Sequence, residues 1–246
     1  MMIEIGKIYN SKKCGTFRVV EYRDYQNVKV EFIATGYAAS VKGKHVIDGQ
    51  IKDPLYPTVY GKGYIGIGYY TSKELGQESI IYKHWTSMLT RCYNTKYQSK
   101  RPTYIGCSVC EEWLNFQNFA AWFDDNYIDG WQLDKDILVR GNKVYSPINC
   151  CFVPVSINNI ITKAERCRGG LPIGVCYDRL KKKYKANLKV DSRNMHLGNF
   201  EEISDAFMAY KIAKESNIRN VAERYRALLP NRVYNSLISY EVTIND

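Results

Sequence analysis

Alternation of apolar and polar positions opens the chain. Residues 16–22 place Phe17 and Val19 two apart, and residues 27–32 repeat this with Val28, Val30 and Phe32, the period of a half-buried strand. A turn at 23–26 joins them. Further short runs punctuated by Gly6, Gly15, Gly36, Gly43 and Gly49 predict a compact, barrel-like β domain over residues 1–70. The period then changes. In residues 79–96, Ile80, Ile81, Trp85, Met88, Leu89 and Cys92 fall on one side of a helix; in residues 111–124, Trp113, Phe116, Phe119, Ala120 and Phe123 do the same. Aromatic stripes at this spacing read as core. Between domain and helices, residues 60–68 (YGKGYIGIG) lack the Lys-Ser/Thr ending and following helix of a P-loop. They predict a flexible tie or a close approach to a ligand backbone.

Residues 132–139 form an apolar run with carboxylates set into it, and Arg140-Gly141-Asn142 supplies a turn. The pieces 144–145 and 151–155 are β-branched or aromatic around Ser146-Pro147-Ile148-Asn149, and residues 157–163 begin a helix. The order is strand, turn, strand, helix. Residues 160–170 finish that helix and become a linker. Three further strands follow at 171–179, 183–190 and 193–200, then an amphipathic helix at 203–214 with Ala206, Phe207, Tyr210 and Ala213 inward. A last helical segment, 216–240, is broken near Pro230 and packs against this third domain. The fold class expected is multidomain α+β: a small β domain (1–70), a strand–strand–helix core with bracing helices (71–165), and a three-stranded sheet with helices (170–246).

A hydrophobic content of 45% excludes a disordered chain, and a net charge of +10 points to a polyanionic partner, nucleic acid before an acidic membrane. No apolar run reaches membrane-spanning length and the first residues lead directly into a strand-like segment, so a cytoplasmic protein is expected. Its eight cysteines are then reduced thiols. Cys107 and Cys110 have metal-ligand spacing, and Cys150-Cys151 would complete a four-cysteine Zn²⁺ site if folded back onto them; the plainer reading is small apolar core residues.

The strand–turn–strand–helix stretch resembles the HNH nuclease family, in the variety common in bacteriophage genomes and among homing endonucleases. Matching residues are Leu133-Asp134-Lys135-Asp136, Tyr145-Ser146-Pro147, Asn149-Cys150 and Asn158. Helix residues Trp85, Met88-Leu89, Arg91-Cys92-Tyr93, Glu112-Trp113, Phe116 and Phe119 resemble that group's lead-in. The resemblance implies a ββα-metal endonuclease or nickase acting on DNA. Asp134 and Asn158 would hold Mg²⁺ (or Mn²⁺) and Asn149 would orient the general base. Lys135 stands where the family's base histidine is expected. Lysine, ordinarily near ~10.4, needs strong desolvation or nearby positive charge to serve near neutral pH, so the base is Asp136 or a depressed Lys135. Without a base, the ββα shape would serve as a DNA-binding or regulatory module that does not cleave.

The C-terminal strands resemble the DNA-binding domain of the plant ethylene-response-factor (Apetala-type) family. Gly174-Val175, Tyr184, Ala186, Leu188, Leu197-Gly198, Phe200, Ala206 and Ala209-Tyr210 carry the match, over about 45 residues. The resemblance implies that a three-stranded sheet lies in the major groove of double-stranded DNA. Alternation in the second strand turns Tyr184, Ala186 and Leu188 to the helix and leaves Lys183, Lys185, Asn187 and Lys189 opposite. Tyr177, Arg179 and Lys181 are expected to join them from the first strand, and Arg193 from the third. Lysine is a point charge without arginine's bidentate fork, so more backbone anchoring and less sequence selectivity follow. A zinc-stabilised nucleic-acid binder using Cys107 and Cys110 is the third reading.

Overall fold

In the computed structural model, residues 2–161, 170–191 and 193–244 are described; the expected linker falls outside them from 162 to 169. Helices and several small sheets mix along the chain, an α+β arrangement. Two compact units share it. One holds the residues up to Tyr127 together with Lys143–Ile148; the other holds Ile128–Asn142 and the chain from Asn149 onward. The division therefore runs through the 128–149 stretch and does not coincide with the boundaries expected near 70 and 165.

The first unit begins with β1 (Ile8–Asn10), β2 (Thr16–Asp24), β3 (Asn27–Phe32) and β4 (Ala38–Val41), an antiparallel sheet in that order, followed by α1 (Gly43–Asp48). The period-two positions pair in register: Phe17 opposite Phe32 and Val19 opposite Val30. With Val28, Val46 and Ile51 they make its core. The sheet is open, where a barrel-like form was expected. A two-strand hairpin, β5 (Lys73–Glu74) and β6 (Gln77–Glu78), leads into α2 (Ile80–Tyr93), whose cap Ser79 accepts the Tyr82 amide. Next come α3 (Thr95–Lys100), a 3₁₀ turn (Pro102–Tyr104), β7 (Ser108–Val109), α4 (Glu111–Leu114) and α5 (Phe116–Asn126).

The helix expected at 111–124 is thus split. The glycine-rich segment causes this: Tyr64 donates its amide to the Leu114 carbonyl, and Phe116 donates its own to the Tyr64 carbonyl. Asn115 stays extended between them and caps α5 by accepting the Gln117 amide. The segment is not a loose tie. Buried Gln117 binds it three times, donating to the Ile65 and Tyr70 carbonyls and accepting from the Tyr70 amide. A Cβ on Gly63 would stand 2.6 Å from Leu89, and one on Gly68 would stand 2.4 Å from Gln117, so glycine here permits a strap against the core.

In the stretch that follows, β8 (Gln132–Asp134) is succeeded by β9 (Val144–Tyr145), β10 (Cys151–Val153) and α6 (Val155–Ile161). β8 and β10 pair antiparallel, with Asp134 opposite Cys151 and Leu133 opposite Phe152. The first strand was expected to reach residue 139. It ends at Asp134 because Oδ1 of that residue accepts the amides of Asp136 and Ile137, turning the chain out of the strand. β9 was expected to pair within this hairpin; it runs parallel to β7 in the first unit. The second unit continues with β11 (Val175–Asp178), β12 (Lys183–Val190) and β13 (Arg193–Phe200), one antiparallel sheet covered by α7 (Ile203–Arg224). α7 runs ten residues past the helix end expected at 214, and Pro230 caps α8 (Asn231–Ile238).

Replacing Gln117 with Ala strands two carbonyls and one amide of the strap. Urea unfolding is expected to show a loss of about 2–4 kcal/mol, several unsatisfied polar groups' worth. A loss under about 0.5 kcal/mol would mean that solvent replaces these bonds freely.

Candidate functional site

Strand β8, the loop after it, β10 and α6 carry the residues singled out for chemistry: Lys135 and Asp136 are in direct contact, Asn149 reaches Lys135 through Asn142, and Asn158 meets Gln132 on the Asp134 face of β8. Buried Leu133 faces the interior, so Gln132 and Asp134 share the other face of β8. Asn158 reaches that face from α6: its Nδ2 donates to Gln132 Oε1 at 2.7 Å. Asp134 is half-buried, and burial pushes its carboxyl above the usual carboxylate range, with the Ile137 and Asp136 amides opposing the shift. A carboxyl raised on folding favours the folded state below its unfolded pKa, and that contribution fades as pH climbs through the raised value.

Lys135, in the base position, is only 7% exposed. Its Nζ donates to both Asp136 carboxylate oxygens at 2.8 Å and to the Asn142 carbonyl at 2.7 Å. An ammonium has three N–H donors and no lone pair. Its three contacts tie the loop together. Asp136 is half-exposed and engaged by the same ammonium. Asn142 closes the loop by donating from Nδ2 to the Lys135 carbonyl at 2.9 Å, and Asn149 donates from its own Nδ2 to Asn142 Oδ1 at 3.2 Å. Asn149 therefore reaches Lys135 through Asn142, a residue whose turn chemistry alone was legible in the sequence.

The C-terminal residues, read as having no chemistry, also hold this element. Arg140 donates to the Glu241 carbonyl and lies over the Tyr240 ring, Arg232 donates to the Cys150 carbonyl, and Ser156 bonds the Tyr225 hydroxyl. Nothing local in the sequence announces these long-range pairs.

Oxygen donors dominate the β8 face: one carboxylate from Asp134 and one carboxamide from Asn158. That set suits a hard divalent cation that keeps several waters or phosphate oxygens. Among the described residues no group of three His, Cys, Asp or Glu side chains is placed to hold a metal, and Cys107 and Cys110 belong to none. Burial raises the Cys110 and Cys151 thiols, which keeps them protonated.

A second candidate surface is the sheet β11–β12–β13. Val175, Ala186 and Leu188 turn to α7 with Ala206, Phe207 and Tyr210. Directly opposed residues of an antiparallel pair share a face, and the register corrects part of the expected set. Tyr177 lies opposite Tyr184, ring centroids 5.3 Å apart, and so falls on the helix side; Arg193 lies opposite Val190, also on that side. Arg179 and Lys181 sit in the turn after β11, where Asp178 Oδ1 accepts the Leu180 and Lys181 amides. Lys185, Asn187 and Lys189 do occupy the outward face, opposite Asn199, His196 and Asn194. Cys176 and Asp178 share it, opposite Lys185 and Lys183. Lys183 is bound to Glu201 at 2.7 Å, which offsets its charge. Counting back from Lys185 across the turn, instead of continuing the alternation through it, would have found Cys176 and Asp178.

Removing the Lys135 ammonium by Lys135→Met leaves Asp136 and the Asn142 carbonyl without their partner. Half-exposure of Asp136 softens the cost, so thermal or urea unfolding is expected to show a loss of about 2–3 kcal/mol, below the full value for a broken buried pair. Unchanged stability would contradict the clamp. Compared with protein-family models, curated proteins and solved structures, the chain matches none.

Proposed function

We propose that the chain is a duplex-DNA-binding protein that hydrolyses phosphodiester bonds with a divalent cation, as an HNH-type endonuclease or nickase. The observation that carries this reading is the bond of Asn158, from α6, to Gln132, which lies two residues before Asp134 on the same face of β8 within a β8–loop–β10–α6 element. Asp134 supplies the anionic oxygen and Asn158 a neutral amide oxygen, leaving the remaining positions of a Mg²⁺ or Mn²⁺ ion to water and a phosphate. Such an ion, when bound, polarises the phosphate and lowers the pKa of a coordinated water. Lys135 holds the loop, and Asn142 passes that order to Asn149. Asp136 is the carboxylate that would take the proton, once its contact with Lys135 opens.

The C-terminal sheet tethers the enzyme through Lys185 and Lys189, with Asn187, Asn194 and His196 beside them. Amide side chains pair with adenine edges and lysines with phosphates, so anchoring outweighs sequence selection on this face. A second reading, a DNA-binding or regulatory protein that does not cleave, is favoured by one observation: the residue in the base position is a triply bonded ammonium.

Conversion of supercoiled plasmid to open-circle or linear DNA with Mg²⁺ or Mn²⁺ separates the two. The nuclease reading expects metal-dependent cleavage that falls by about two orders of magnitude or more in Asp134→Ala and in Asn158→Ala, since even outer-shell changes cost 10–100-fold in metal sites. Tight, salt-sensitive binding without cleavage on several plasmids supports the binding module. Cleavage equal in all three proteins removes the metal site from Asp134 and Asn158.

A further inference from the structure

Between Glu78 and Glu111 the chain has no acidic residue, yet it carries Arg91, Lys96, Lys100 and Arg101 around the α2–α3 junction. The first unit gathers the segments that carry these cations around one junction. Gln98 Nε2 donates to the Arg91, Cys92 and Tyr104 carbonyls, which ties α3 and the 3₁₀ turn back onto the end of α2. Lys143 adds a fifth cation by donating to the Thr103 and Ile105 carbonyls. Lys96, Lys100 and Arg101 are exposed.

Arg91 gives this surface a focus. Its half-buried guanidinium lies 5.7 Å over the Tyr104 ring and bonds the phenol of Tyr145. Burial raises the Tyr145 phenol, so that partner is neutral. No carboxylate lies within ion-pair distance of Arg91 among the described residues. A partly desolvated cation without a counter-charge is costly, and an external anion relieves that cost.

We infer that the α2–α3–3₁₀ surface is a second contact for the phosphate backbone of duplex DNA, separate from the C-terminal sheet, with Arg91 as its seated phosphate ligand. The inference rests on reading the chain as a DNA-binding protein. Duplex DNA fits better than an acidic protein. Protein interfaces form around a buried apolar or aromatic centre, and the large apolar side chains exposed in this segment are Ile105 and, at the opposite end of α2 from Arg91, Ile80. Protein–DNA interfaces are polar and strongly positive, as this surface is.

The test measures affinity of the full chain for a random-sequence duplex as a function of salt. The variants are K96Q/K100Q/R101Q, a charge-matched control K12Q/K13Q/K44Q at exposed lysines of the β domain, and the sheet variant K185Q/K189Q. Thermal midpoints check that each is folded. Each backbone contact contributes about 0.9 to the slope of log K against log salt, so the triple variant is expected to lower that slope by roughly 2–3 and weaken binding at least about tenfold at physiological salt. The control is expected to move it by less than about one contact's share. A triple variant that binds like wild type, or no worse than the control, overturns the inference. If K185Q/K189Q alone loses affinity, the DNA-binding reading stands and this surface falls. If the wild-type chain does not bind DNA, both fall. Displacement of DNA by polyglutamate at equal charge would reassign the surface to an acidic protein.

Discussion

The loop between β8 and β9 is held closed by one ammonium group. Lys135 follows the last strand residue and is buried, as Leu133 is. A buried cation has to be neutralised and fully bonded, and here the Asp136 carboxylate and the Asn142 carbonyl meet both demands. Much else at the site follows from that. Asp136 is held by the ammonium, Asn142 is fixed to the Lys135 backbone, and Asn149 is fixed to Asn142. The face of β8 is left with Asp134, Gln132 and Asn158.

Where a side-chain period ran uninterrupted, the sequence was legible. Phe17, Val19, Val28, Val30 and Phe32 form a core as their alternation predicts, as do Ala186 and Leu188 over α7. Trp85, Met88, Phe116 and Phe119 are buried at helical spacing. Failures came where a side chain took over backbone hydrogen bonding. Asp134 captured two amides and ended β8 early; Gln117 turned a glycine-rich run into a fixed strap; the strap's own backbone split the second aromatic helix. Such events join residues far apart or substitute a side chain for a turn, and neither leaves a period to read.

The C-terminal sheet shows the same limit in miniature. Within β12 the alternation named Lys185, Asn187 and Lys189 correctly. Carrying it through the turn into β11 chose Tyr177, whereas the register sets Cys176 and Asp178 on the outward face. Parity is lost at a turn, and the register restores it. Asp178 and Glu201 also dilute the positive charge at one end of that face, which shifts weight to Lys185 and Lys189 and gives the cations near Arg91 a larger share of the chain's positive field.

The central claim is that Asp134 and Asn158 together form a cation site. Paramagnetic broadening by substoichiometric Mn²⁺ in an amide-resolved NMR spectrum tests it without requiring turnover or a DNA target. The account predicts selective loss of the Asp136 and Ile137 backbone amides and of the Asn158 side-chain amide, reversed by excess Mg²⁺ and absent in Asp134→Asn. Broadening centred on another cluster of carboxylates, or none at millimolar-range Mn²⁺, would contradict it.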